Sequence, residues 1–108
     1  MNANDTRPDT VTVIIATYNR TAYLRECLES VLKQSHAPAQ VILVDDGSEE
    51  DVQAAVRGFA DRITYVRQEN AGRPAAFNRA LGLATGEWLW FFDDDDVAML
   101  TSIQSRLE

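Results

Sequence analysis

Three observations predict an α/β fold built on a doubly wound, mostly parallel sheet with helices on both faces. Apolar runs of strand length alternate with segments of helical period from Val11 to Phe92. The runs are rich in β-branched and aromatic residues and unbroken by polar ones, as strands buried on both faces require. Three of them end in polar or acidic residues, Thr17-Tyr18, Asp45-Asp46 and Asp93 to Asp96, and sheets of this kind bind ligands at the carboxyl ends of their strands.

The elements follow in order. Val11 to Ala16 (VTVIIA) is the first strand, closed by Thr17-Tyr18-Asn19, small and polar residues suited to a strand-to-helix turn. Leu24, Cys27, Leu28, Val31 and Leu32 then recur at helical spacing, with Asn19 or Thr21 as candidate N-cap. Gln40 to Val44 (QVILV) is the second strand. Strand, helix, strand makes a βαβ unit, so these two strands should run parallel. Ser48 and Asp51 outline a capping box before a helix with the face Val52, Ala55, Val56 and Phe59. Ile63 to Arg67 (ITYVR) is the third strand, and Asn70 to Pro74 is a turn whose proline suits the first position of the next helix. That helix presents Phe77, Ala80, Leu81 and Ala84, with Gly86 as its left-handed end. Trp88 to Phe92 is the fourth strand, in which core packing accounts for Trp88 and Trp90. Met1 to Thr10 reads as a disordered tail, and Ser102 to Leu107 as the start of another helix.

Composition narrows the function. With 108 residues and 45% apolar content the chain is one domain or part of one, with a real core. A net charge of −7 argues against nucleic acid and anionic membranes, which are bound by basic surfaces. Of the 17 acidic residues, nine fall in two clusters, Asp45 to Asp51 and Asp93 to Asp96. Four carboxylates in a row after a buried strand repel one another unless a cation or tight hydrogen bonding offsets the charge. Hard divalent cations take oxygen ligands and keep phosphates in their shell, so a phosphorylated ligand is expected with the metal. Tyr18 offers a flat face to a nucleobase, and Asp46 can accept from a base N–H or a ribose hydroxyl. One of the Asp45-Asp46 pair is expected to bond its own turn while the other faces ligand. Arg73, just before a helix N-terminus, would reinforce phosphate binding.

Other chemistries lack support. No GxxxxGK[ST] loop is present and no GxGxxG follows the first strand. The single histidine, His36, lies in a loop and reads as exposed and inert. Cys27, the one cysteine, reads as buried packing. No run approaches the ~20 apolar residues of a membrane span. Reducing cytoplasm is the expected compartment, with the inner face of the membrane as the alternative for a longer protein.

The motifs VTVIIATYNR, VILVDDGSEED and ENAGRPAAFNRALGLATGEWLWFFDDDD resemble, over about residues 11 to 105, the N-terminal half of family 2 glycosyltransferases, inverting enzymes with the GT-A fold. The resemblance implies a transferase of hexosyltransferase type that moves a sugar from a nucleoside diphosphate sugar donor to an acceptor hydroxyl. The acceptor, a glycan, lipid or protein, is not named by the motifs. It implies donor-binding residues Thr17, Tyr18, Asn19, Asp45, Asp46, Arg73, Asp93 and Asp95, with Asp95 and Asp96 on Mn²⁺ or Mg²⁺. Ala76-Phe77-Asn78 stands where the family commonly has Ala-Arg-Asn, so any role for a cation at 77 is absent. The expected organisation is a donor-binding part over 11 to 108, cut before the acceptor half. The general base would then lie beyond residue 108, and the cut chain would self-associate through its uncovered last strand. Two other classes fit less of the pattern: a noncatalytic nucleotide-binding or interaction module, and a receiver-like phosphoacceptor domain suggested by ILVDDG.

Overall fold

Four strands and three short helices alternate along the chain in a computed structural model, which describes residues 10–35 and 37–93. Met1 to Asp9 of the tail, His36, Asp94 to Asp96 and the segment Ser102 to Leu107 lie outside the described residues. Strands β1 (Val11–Thr17), β2 (Gln40–Asp45), β3 (Thr64–Arg67) and β4 (Trp88–Asp93) form one all-parallel sheet in the order β3-β2-β1-β4. The chain therefore steps sideways in one direction from β1 to β3 and then crosses back to place β4 on the other side of β1. The point of reversal lies between β1 and β4, where open α/β sheets leave a crevice for ligands.

Helices α1 (Thr21–Leu32) and α2 (Val52–Ala55) cover one face and α3 (Arg73–Leu81) the other. Strand alternation separates the two cores. Val11, Val13, Ile15, Val41, Leu43 and Phe92 meet Leu24, Cys27, Leu28 and Val31 of α1 and Val52, Val56 and Phe59 after β2. Ile14, Ala16, Ile42 and Val44 meet Ala76 and Ala80 of α3. The second interface is built on alanines, so α3 lies close against the sheet. Cys27 is buried among apolar neighbours, as expected. Among the described residues no helix is long and apolar enough to cross a membrane.

Several local expectations are corrected. Arg20, not Asn19 or Thr21, holds the N-cap position of α1 and makes no capping bond from its side chain. The cap comes from the next loop, where Glu50 Oε1 accepts from Thr21 N–H at 3.0 Å and from its hydroxyl at 2.9 Å. Ser48 and Asp51 do not form a capping box. Asp51 caps α2 by accepting from Ala54 N–H, while Ser48 N–H donates to Asp45. The predicted single helix from Val52 to Phe59 is one α turn followed by a 3₁₀ turn over Arg57–Phe59, with Val56 at the break and Gly58, a poor helix former, inside the second turn. Pro74 is the second helical residue of α3 rather than the first, Arg73 preceding it.

Gly86 is not left-handed; among the described residues only Gly47, Gly72 and Asn19 have positive φ. Its lack of a side chain serves close approach instead, since a Cβ there would lie 2.7 Å from Thr12 N. Leu81 faces solvent, and the apolar face of α3 is Ala76 and Ala80 flanked by Phe77 and Ala84. Trp88 is 54% exposed and does not pack in the core, whereas Trp90 does, edge-on to Phe92 at 5.0 Å. The reason is topological: β4 lies at the edge of the described sheet, so an apolar run there is not covered on both faces.

Candidate nucleotide site at the carboxyl edge of the sheet

Parallel register brings the predicted strand ends into one row. Arg67 pairs with Asp45, Asp45 with Thr17, and Ala16 with Asp93. Asp45 and Asp93, 48 apart in sequence, thus come to flank β1 on the same edge. This convergence follows from unbroken apolar runs that must lie side by side, each passing into polar residues at the same level.

Asp45 is fully buried and turned toward β3. Its Oδ2 accepts from Tyr65 Oη at 2.7 Å and from Arg67 Nη1 at 2.9 Å, and its Oδ1 accepts from Ser48 N–H at 2.9 Å. Burial, together with the hydrogen bond to Asp45 and its charge, pushes the Tyr65 phenol up to about 12 against the opposing pull of Arg67. A carboxylate enclosed this way holds the β2–α2 turn to β3. Of the two aspartates it is the one that bonds its own turn, as the sequence led us to expect of one of them, and its side chain makes no ligand face.

Asp46, also buried, faces the loop between β3 and α3. Its Oδ1 accepts from Gln68 Nε2 and Ala71 N–H, each at 2.9 Å, and its Oδ2 from Gly72 N–H at 3.0 Å and Asn70 Nδ2 at 3.3 Å. Burial pushes this carboxyl up, but the bonds from Gln68, Ala71 and Gly72 outweigh it and hold the group below its ordinary value. Gly47 makes the approach possible: its φ is 79°, and a Cβ would sit 2.7 Å from Asn70 N.

Between β1 and this loop lies a cavity of about 70 Å³ lined by Ala16, Thr17, Tyr18, Asp46 and Arg73. Four of the predicted donor-site residues therefore share one cavity. Tyr18 is 47% exposed, which leaves its ring available to a ligand. The Thr17 hydroxyl is buried and has no hydrogen-bond partner in the structure, an arrangement that folded proteins avoid unless water or a ligand completes it. Arg73 opens α3 with its guanidinium 5.9 Å from the centre of the Phe77 ring.

Asn19 does not face this cavity with its carbonyl. Its φ is 53°, its N–H donates to Ser48 Oγ at 2.8 Å, and its Oδ1 accepts from Glu49 N–H at 2.8 Å and Glu50 N–H at 3.4 Å. These bonds form a brace that ties the loop carrying Tyr18 to the loop after Asp46. Asp93 is placed by its backbone beside Ala16, at the point of chain reversal. Asp95 and Asp96 lie outside the described residues, among which no cluster of three or more metal-binding side chains occurs.

Larger hollows lie elsewhere, about 340 Å³ beside α2 and about 490 Å³ along Gly47 and Arg67 to Asn70. The first borders no predicted site residue, whereas the small cavity has an unpaired hydroxyl, an aromatic face, a carboxylate and a guanidinium around it. Sequence reasoning missed Tyr65, Arg67, Gln68, Asn70 and Glu50. Tyr65 and Arg67 carried a signal, because residues two apart in a strand share a face; the backbone donors Ala71 and Gly72 carried none.

Comparison with known proteins shows the family. The model of the family described as Glycosyl transferase family 2 matches residues 12–108. Glycosyltransferase GlyA of Streptococcus pneumoniae serotype 4 is 38% identical over 91 residues, 82% of this chain and 13% of that protein. The mannosyltransferase PcManGT of Pyrobaculum calidifontis, solved in complex with GDP-Man and Mn²⁺, is 34% identical with a TM-score of 0.75 over 81% of this chain and 28% of its own. S. aureus TarS 1-349, solved in complex with UDP-GlcNAc, is 29% identical with a TM-score of 0.82 over 91% of this chain and 30% of its own. The chain spans less than a third of each of these proteins.

Proposed function

Because the chain belongs to glycosyl transferase family 2, we propose that its sheet edge holds the nucleoside diphosphate sugar donor for transfer of a sugar to an acceptor hydroxyl. The observation that carries this reading is the cavity shared by Thr17, Tyr18, Asp46 and Arg73. Tyr18 stacks on the base, Asp46 accepts from a base N–H or a ribose hydroxyl, and the unpaired Thr17 hydroxyl bonds a polar atom of the nucleoside. Arg73, at the start of α3, attracts the diphosphate together with the helix N-terminus. Asp45 and Asn19 act from behind, by fixing the two loops that carry Tyr18 and Asp46.

Asp93 and Asp95 are assigned to the donor, and Asp95 and Asp96 to Mn²⁺ or Mg²⁺, in keeping with a relative solved with GDP-Man and Mn²⁺. A divalent cation held there would neutralise charge on the departing diphosphate. Residues 11 to 108 are read as the donor-binding part of the enzyme. Its two acidic clusters are assigned to the donor, the metal and the bonds that fix the surrounding loops and helix ends, so the general base that takes the acceptor's proton is assigned to residues beyond 108. Calorimetric titration with UDP, GDP and TDP, with and without Mn²⁺, tests the reading. One of the three should bind more tightly than free sugar and gain affinity with the metal, and a chain with Asp95 and Asp96 both replaced by Asn should lose that gain. Binding of none of them, or equal affinity with and without metal, would overturn the donor-site or the metal assignment respectively.

A further inference from the structure

Asp46 is the carboxylate that the proposed reading turns toward the base, yet its acceptor positions are occupied. An ionised carboxylate offers about four lone-pair sites, and Gln68, Ala71, Gly72 and Asn70 each donate to one of its oxygens. A base N–H can therefore reach Asp46 only if one of these donors leaves. Ala71 and Gly72 donate from the backbone and cannot withdraw without moving the loop that opens α3. Asn70 Nδ2 is also bonded to the Asp46 carbonyl at 3.0 Å, and its backbone is packed against Gly47. Gln68 differs on each count. Its amide reaches Asp46 on a flexible, half-exposed side chain through one bond, and it borders the open groove along Arg67 to Asn70.

We propose that Gln68 gates the Asp46 carboxylate: its amide N–H stands in for the base N–H, and binding of the nucleotide exchanges one donor for the other. The inference rests on the reading that a nucleoside diphosphate enters the Tyr18–Asp46 cavity. Exchange keeps the number of donors on Asp46 constant through binding. The base contact then adds little net affinity, and Gln68 acts as a competitor that lowers it. Removing the competitor should tighten binding of any ligand that reaches Asp46 through its base and leave a ligand without a base unaffected.

Calorimetric titration of the wild-type chain and of the Gln68→Ala and Gln68→Met variants with UDP, GDP and TDP, and with pyrophosphate as the ligand lacking a base, decides the matter. Thermal melting of each variant confirms that it folds, and methionine keeps the side-chain bulk without the donor. The expected result is that both variants bind the preferred nucleotide about fivefold more tightly than wild type, the scale of one released hydrogen bond, with pyrophosphate affinity unchanged. Unchanged or weaker nucleotide binding in both variants would show that Gln68 braces the loop and yields to nothing, and so would tightening that extends equally to pyrophosphate. If the wild-type chain binds none of the three nucleotides, the donor-site reading itself fails, an outcome separable from failure of the gate alone.

Discussion

Asp45 and Asp46 are neighbours in sequence that point into different surroundings, one toward β3 and the other toward the loop before α3. Tyr65→Phe removes a donor from the fully buried Asp45, and should cost about 1–3 kcal/mol in urea denaturation at neutral pH. Asp46→Asn places an amide against N–H donors and should destabilise by a similar ~1–3 kcal/mol. The Asp46→Asn cost should depend on pH. The folded-state value of Asp46 is depressed, so its contribution is fully present above the unfolded value near ~3.9 and is lost as pH falls through the lower folded value. The difference in melting temperature between wild type and Asp46→Asn should therefore hold between about pH 5 and pH 7 and shrink below about pH 4. A gap that stayed constant down to strong acid would mean that the carboxylate charge is not what the loop recognises.

At the level of elements, the loops at the two ends of the sheet are held by different devices. At the carboxyl end Asn19 combines a left-handed backbone with a side chain that accepts from the neighbouring loop. Asn19→Gly keeps the backbone and loses only the brace. Asn19→Ala loses the brace and carries a left-handed penalty of about 1 kcal/mol as well. Denaturation midpoints should rank wild type, then glycine, then alanine, and the reverse order of the two variants would remove the brace from the account. At the amino end Gln40 Oε1 accepts from Thr12 Oγ1 and Thr85 N–H, and Gly86 N–H donates to Thr12 Oγ1. Gly86→Ala would press a methyl into the β1 backbone and should cost about 1–3 kcal/mol by the same measurement. Nucleotide affinity should survive that change, because the strain sits at the opposite end of the strands.

For the molecule as a whole, the order β3-β2-β1-β4 sets β4 beside β1 and leaves Trp88, Leu89 and Phe91 exposed. An apolar edge strand is a template for association. The 108-residue chain should sediment as a concentration-dependent mixture of monomer and oligomer, and Leu89→Lys should shift it toward monomer. A single monomeric species over the whole concentration range would show the edge to be protected. In the proposed division of labour the same chain should show no sugar transfer at an enzymatic rate, while a longer protein that contains it does; equal turnover by both would place the base within these residues.

The sequence by itself determined the α/β class, the four strands and the edge on which the polar strand ends gather, because periodicity and the polar strand ends are local signals. Leu24, Cys27, Leu28 and Val31 could be assigned to one buried helical face from spacing alone, and the three motifs sufficed to suggest the family. The tertiary structure decided what pairing and approach decide. Strand order is not written in any single run, so the exposure of Trp88 at an edge could not be read from its apolar neighbours. Asp45 and Asp46 could be expected to take different partners, but which partners each took depended on Tyr65, Arg67 and a loop 22 to 26 residues away. The donors on Asp46 include backbone N–H groups of Ala71 and Gly72, and a backbone group has no sequence signature. Gly86 looked like a helix end because glycine has two uses, conformational freedom and close approach, and only the position of Thr12 distinguishes them.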